Sequence, residues 1–475
     1  MTQQMNRREF LAVGSAALLA ASEHKHQMTG PPEFETELPI PPVLTPVKSD
    51  STTDYYDITQ RQTWAEIIPG MRTQIRSYNG TFPGPTIKAR RGRRTLVAHT
   101  NHLTVPTVVH LHGGVTKPDS DGFPTDTIAP GESRGYEYGN SGPAAALWYH
   151  DHSWRDSGRN LYMGLAGFYL LDDPNENTLL PREKYDIPLM LQDRSFTSDG
   201  ELDYDHHRHH GATGNIMLVN GAPWPALKVA ARKYRFRILN ASNAAPVALS
   251  LSSHQSFVQI ATDQGLLPAP VSLPLIRLAM AERVEVIIDF SVYPMGTRIV
   301  LQNRRGRGRL SRVMCFDVVG KERDDSLVRP SLEELETLRP SQAVRTRTFV
   351  FGGRPTLELP PGVRWVINGK AFDPERVDAE PLLDDVEIWR FVGGSFLGRA
   401  MVHPVHTHLV PFQIMTRNGQ PPRAEERGWK DTVAVERDEV VEVIMRWSGY
   451  RGRYLLHCHN LEHEDHSMMA RVDVM

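Results

Sequence analysis

Apolar and polar residues alternate along most of this chain with the two-residue period of β-strands. Runs such as RTLVAHT (94–100), TVVHLHGG (107–114), YRFRILNAS, RVEVIIDFS, RIVLQN, VMCFDVV and EVVEVIMRW are short, rich in β-branched and aromatic residues, and bounded by Gly, Pro, Asn or Asp. Helical periodicity is weak, and its one polar instance is SLEELETL at 331–338. The pattern predicts an all-β protein built of sandwiches.

At 475 residues the chain is too long for one core. Three blocks each end on an apolar strand before a polar break or the chain end: AGFYLLDDPNEN, VMCFDVVGKERDD and MARVDVM. We place them at 51–180, 181–340 and 341–475, each of a size suited to a Greek-key sandwich. GKERDDSLVRPSLEELETLRPSQAV reads as the linker between the second and third blocks, and residues 23–50 as a Pro-rich extended arm. Residues 1–22 stand apart. Arg7-Arg8 and Phe10-Leu11 precede a short Ala-rich run that ends in small residues, which resembles a twin-arginine export signal. It implies export by the twin-arginine machinery to the periplasm or the medium. The run is too short and too weakly apolar to span a bilayer.

A formal charge of -2 gives no reason to expect nucleic acid or an anionic membrane as partner, and points to a small or neutral one. Only two cysteines are present, Cys315 and Cys458. In an exported protein a pair invites a disulfide, but the surroundings of Cys458 argue for another use.

Half of the twenty histidines fall in four tight motifs. These are HLHGG (His110, His112), WYHDH (His150, His152), HPVHTH (His403, His406, His408) and HCHNLEH (His457, His459, His463). On a strand, each H-x-H pair puts two imidazoles on one face, about 7 Å apart. Four such pairs, two near each end of the fold, can surround a metal cluster. Cys458, His463 and Met468, joined by His403, offer one thiolate, two imidazoles and a distant thioether, the donor set of a blue-copper site. A closed zinc site would need four strong ligands on one ion. Alternation also sends Cys458 away from the face shared by His457 and His459, so one tripeptide serves two metal sites.

These motifs, with NGTFPGPTIKARRG, QDRSF, VNGAPWP and RKYRFRILNAS, resemble the three-domain multicopper oxidases, in particular the branch of bacterial spore-coat laccases, bilirubin oxidases and phenoxazinone synthase. The resemblance implies three cupredoxin-like β-sandwiches and four copper ions. Type 1 copper is expected on His403, Cys458, His463 and axial Met468, and type 2 copper on His110 and His406. The type 3 pair is expected on His112, His150, His152, His408, His457 and His459. It further implies one-electron oxidation of phenols, aminophenols or tetrapyrroles coupled to reduction of dioxygen to water, with electrons entering by the edge of His463 or His403. Asp121 and Glu464 match acidic positions near the oxygen and solvent channels and are the expected proton donors, since imidazoles committed to copper cannot supply protons. A metal-ion oxidase is the nearest alternative, weakened by the lack of a Met-rich insert. An exported non-catalytic relative is disfavoured because every ligand position is kept.

The remaining residues are read blandly. His466 is a neighbour of the ligands, Met469 packs in the core, and Cys315 is a buried free thiol. His206, His207, His209 and His210 form a solvated loop, Arg304–Arg309 a solvated basic hairpin tip, and His99, His102 and His254 have no companions.

Overall fold

The computed structural model describes residues 28–173, 179–205, 210–356, 362–394 and 401–475. Strands occupy three successive pairs of sheets. In the first, the sheet of Lys48–Ser49, Thr53–Ala65, Thr73–Tyr78, Arg94–Asn101 and Ser133–Tyr138 faces a four-stranded sheet. The latter is ordered Gly84–Arg90, Ala166–Asp172, β2 (Ala145–Asp151) and β1 (Val109–His112). The second pair has seven and five strands between Asp186 and Gly320, and the third has two five-stranded sheets. One sheet of that third pair holds Val377–Ala379 together with β3 (His403–Thr407), β4 (Thr432–Val435), β5 (Gly452–Cys458) and β6 (Met469–Val474). Each pair encloses its own apolar core.

The continuous apolar run of β2 has a physical cause. Leu147 and Tyr149 point into the first core, whereas Ala146 and Trp148 pack into a second cluster with Leu161, Phe168, Met190, Leu239 and Leu461 from all three sandwiches. A strand buried on both faces loses its alternation. Two short helices lie at this junction, α1 (Ser157–Tyr162) and α2 (Leu461–Asp465). The Asp465 carboxylate accepts from the first two amides of α1, Ser157 and Gly158, at 3.0 and 2.9 Å, tying the two helices end to end.

Two expectations are corrected. SLEELETL is not a helix but irregular extended chain. Pro330 and Pro340 bracket it, Leu332 donates its N–H to Pro268 O, and Leu338 donates to the Gln413 side chain, with both leucines buried. Nor is the basic loop simply a solvated tip. Arg309 stacks on Trp224 at 3.9 Å and donates to Glu33 and to the carbonyls of Thr29, Gly30 and Pro31, which fastens the Pro-rich arm. The arm continues as single bridges, Glu37 to Ala226 and Val43 to Thr86, from the second sandwich to the first. The export-signal reading lies outside the described residues.

Candidate metal centre

β1 and β2 pair antiparallel with His110 opposite His150, while β3 and β5 pair with His406 opposite His457. These two sheet edges meet, so imidazoles from the first and third sandwiches interleave. His110 stacks on His408 at 3.8 Å and His112 on His406 at 3.7 Å. All ten motif histidines are buried.

The hydrogen bonds of the rings decide where their lone pairs point. A carbonyl only accepts, so the contacts of His110 Nδ1 with Asp121 O (2.6 Å), His406 Nδ1 with Asp431 O (2.8 Å) and His150 Nδ1 with Asp151 O (2.8 Å) place the proton on Nδ1 in each. The Nε2 atoms of His110 and His406 then face each other at 3.4 Å with no proton between them. At the neighbouring group His408, whose Nδ1 contacts Asp121 Oδ2 at 2.6 Å, and His152 approach His457 Nε2 at 3.2 and 3.4 Å. Facing lone pairs repel, and a cation between them reverses the sign. Buried ring nitrogens without a protein partner, among them His112 Nδ1, His150 Nε2 and both nitrogens of His459, complete a donor set suited to copper.

The ligating atoms fall into groups within 4.8 Å: His110, His112 and His406; His112, His150 and His459; His152, His408 and His457; and, separately, His403, Cys458 and His463. In the last, Cys458 Sγ lies 3.6 Å from His403 Nδ1 and 3.7 Å from His463 Nδ1. Met468 is fully buried in the same core cluster, and its main chain closes the loop by bonds to His463 O and Cys458 N–H. Cys458 therefore faces one site while its neighbours His457 and His459 face the other.

Burial, reinforced by the neighbouring imidazoles, holds His110, His112, His150, His406 and His408 well below the ordinary imidazole range, so their lone pairs are available at neutral pH. Burial lifts the Cys458 thiol far above its usual range, so a metal is needed to hold it as thiolate. Asp121 is fully buried. It accepts from His408 Nδ1 at 2.6 Å and Thr116 Oγ1 at 3.0 Å, and burial pushes its carboxyl up to about 7. Glu464 lies 3.6 Å from His152 Nδ1 and 3.2 Å from His457 Nδ1. Burial opposes its ionisation, but these two partners prevail and hold it below the ordinary carboxylate range.

Other expectations resolve individually. Met469 packs with Phe123, Phe372 and Leu455, and Cys315 is a buried free thiol. His99 is buried among tyrosine rings, 3.4 Å from Gln60 Nε2, whereas His102 and His254 are exposed. His210 does not lie in a detached solvated loop. Its ring meets Trp365 at 5.9 Å and its carbonyl accepts from Asn460 Nδ2; His206, His207 and His209 lie outside the described residues. The edges of His403 and His463 are buried, and Trp365 stacks on His463 at 3.7 Å. Trp365 and Asp431 were missed in the sequence, because neither stands at a repeated spacing from a histidine.

Residues 59–176 and 332–475 each match a multicopper oxidase family model. The chain is also 38% identical to a laccase of Bacillus stratosphericus, over 93% of this chain and 99% of that one. The chain belongs to the multicopper oxidases. It is an oxygen-using, copper-dependent oxidase, as the histidine motifs implied. This multicopper oxidase is 35% identical to the bilirubin oxidase of Albifimbria verrucaria, over 92% of its own length and 81% of the relative's. Its fold matches the crystal structure of a laccase from Pediococcus acidilactici with a TM-score of 0.87 at 31% identity, covering 94% of this chain and 95% of that one. The three sandwiches are thus cupredoxin-like.

Proposed function

We propose that this oxidase is a laccase-like enzyme that holds four copper ions and oxidises phenols, aminophenols or tetrapyrroles, with dioxygen reduced to water. His403, Cys458, His463 and Met468 would hold the type 1 copper. His110 and His406 would hold the type 2 copper, and His112, His150, His152, His408, His457 and His459 the type 3 pair. The observation that carries the reading is the convergence of three all-imidazole groups beside one Cys-His-His group joined to them by the peptide His457-Cys458-His459. Bound copper supplies one-electron acceptance at the thiolate site and multi-electron reduction of dioxygen at the imidazole sites.

The chain's own residues do the rest. Cys458 connects the two sites covalently, so electrons received on one side need no through-space gap to reach His457 and His459. The partners of the imidazoles, Asp121 O, Asp431 O and Asp151 O, fix which nitrogen each presents. Asp121 at His408 Nδ1 is the buried carboxyl placed to hand protons toward the oxygen side, and Glu464 at His457 Nδ1, ionised between its imidazole partners, is placed to take up and relay them. The identity to a laccase and to a bilirubin oxidase supports an organic reductant over a metal ion, as does the lack of a Met-rich insert in the sequence. Arg7-Arg8 and the run after them support export by the twin-arginine route.

The test is oxygen uptake by copper-loaded protein with a panel of phenols, aminophenols, bilirubin, cuprous and manganous ions. Turnover with the organic members is expected; uptake with the metal ions alone overturns the substrate class. A Cys458→Ser control should lose the blue colour, one copper per chain and all uptake, and persistent uptake would mean that electrons bypass Cys458.

A further inference from the structure

The middle sandwich supplies none of the clustered histidines, yet one of its arginines is fully buried beside them. Arg283 opens the strand Arg283–Asp289 and uses all five of its N–H donors. Nη1 donates to Asp431 Oδ1 at 2.6 Å and Nη2 to Oδ2 at 2.5 Å; the others go to Ala281 O, Asp263 O and Ala146 O at 3.1, 3.0 and 3.0 Å. Its partners thus come from all three sandwiches, and Ala146 lies on the strand that carries His150.

Asp431 is the third sandwich's contribution. Besides the two-pronged contact it accepts from Gln264 Nε2 at 2.6 Å and Thr432 Oγ1 at 2.9 Å. Its Oδ1 also lies 3.1 Å from His112 Nε2. Beside a guanidinium the carboxylate is ionised and can only accept, so the proton of His112 is on Nε2. The lone pair of His112 is then on Nδ1, which is buried and has no protein partner. His110, His150 and His406 have the opposite arrangement, with the proton on Nδ1. Gly113 shows how tightly this corner is built. Its φ is +84°, and a Cβ there would lie 2.6 Å from both Asp431 Oδ2 and Gln264 Nε2, and 2.8 Å from Arg283 Nη2. The glycine after His112 is what lets the clamp approach the strand.

We propose that Arg283 is a positioning residue for the oxygen-side copper sites: acting through Asp431, it fixes the tautomer of His112 so that this ring, unlike His110, His150 and His406, presents Nδ1 to the metal. The inference rests on the copper assignment above. It gives the ligand-free middle sandwich a part in orienting the metal ligands, with Gln264 as its auxiliary.

The test compares Arg283→Gln and Gln264→Leu with wild type in copper per folded chain by native mass spectrometry, in copper retention against a chelator, and in the paramagnetic resonance of the bound copper. In Arg283→Gln the copper at Cys458 and its blue colour are expected to persist, while the oxygen-side copper is lost about 10- to 100-fold more readily and its resonance changes. Gln264→Leu should shift the same readouts in the same direction, by a smaller factor. Folded Arg283→Gln with wild-type copper content, retention and resonance overturns the proposal. If that variant does not fold, Gln264→Leu with wild-type stability and unchanged copper readouts overturns it instead. Wild-type protein that takes no copper beyond the Cys458 site would defeat the copper assignment, whereas full wild-type loading with an indifferent Arg283→Gln defeats only the role of Arg283.

Discussion

Asp121→Asn separates two jobs that one buried carboxyl could perform. Oδ2 accepts from His408 Nδ1 at 2.6 Å and Oδ1 from Thr116 Oγ1 at 3.0 Å, while the main-chain oxygen accepts from His110 Nδ1. An asparagine keeps the backbone contact, and its amide oxygen can still accept from His408 if the Thr116 hydroxyl turns to accept from its NH₂. The loss is then the difference between a hydrogen bond to a charged and to a neutral acceptor, about 1 kcal/mol. If Asp121 only orients His408, that is about a fivefold effect on turnover. An amide cannot pass a proton, so if Asp121 is a proton donor the loss should be about 10²- to 10⁴-fold. The assay is steady-state oxygen uptake at saturating reductant by copper-loaded Asp121→Asn, with copper content and blue absorbance as controls for intact sites. We expect more than a hundredfold loss with the blue colour unchanged. A loss below about tenfold at full copper content would refute proton delivery by Asp121 and leave it an orienting role.

Arg309→Ala should release the arm. The lost contacts to Glu33, Trp224 and three carbonyls, discounted for a side chain 31% exposed, amount to about 2 kcal/mol. Limited proteolysis within residues 28–38 should accelerate more than tenfold while oxygen uptake stays unchanged; equal protection would mean that the arm is held elsewhere. Acid should mimic this. Burial opposes ionisation of Glu33, but its bonds to Arg312 and Arg309 prevail and lower its carboxyl below the ordinary value. Its contribution is therefore complete above the unfolded carboxylate range and is lost as pH falls through the lowered value, with arm cleavage rising in parallel. Cys315→Ala should leave blue colour and uptake intact and lower the melting temperature by a few degrees, for a loss of about 1 kcal/mol. Burial lifts this thiol to about 11, so in the native protein it should resist alkylation at neutral pH; rapid labelling would contradict the buried free thiol.

The sequence by itself determined the strand-rich character and the donor set of the metal centre. Both depend on short-range periodicity: alternation along VHLH or LHCH says which side chains share a face before any partner strand is known. It also divided Cys458 from His457 and His459, a division the structure repeats by turning Cys458 toward His403 and His463. Local pattern misled where burial was supplied from elsewhere. SLEELETL carries helix-forming residues, yet flanking prolines and two leucines anchored to other segments hold it extended. Arg309 reads as one more cation in a basic loop, and only the folded chain shows it clasping an arm nearly three hundred residues earlier in sequence.

Tertiary structure alone decided which nitrogen each imidazole offers. That choice rests on acceptors such as Asp121 O, Asp431 and Asp151 O, and on Arg283, a residue of the ligand-free sandwich joined to Asp431 across 148 positions of sequence. No periodicity links such residues, because hydrogen bonds depend on proximity in space, and proximity between sandwiches is fixed only when three separately patterned cores pack against one another.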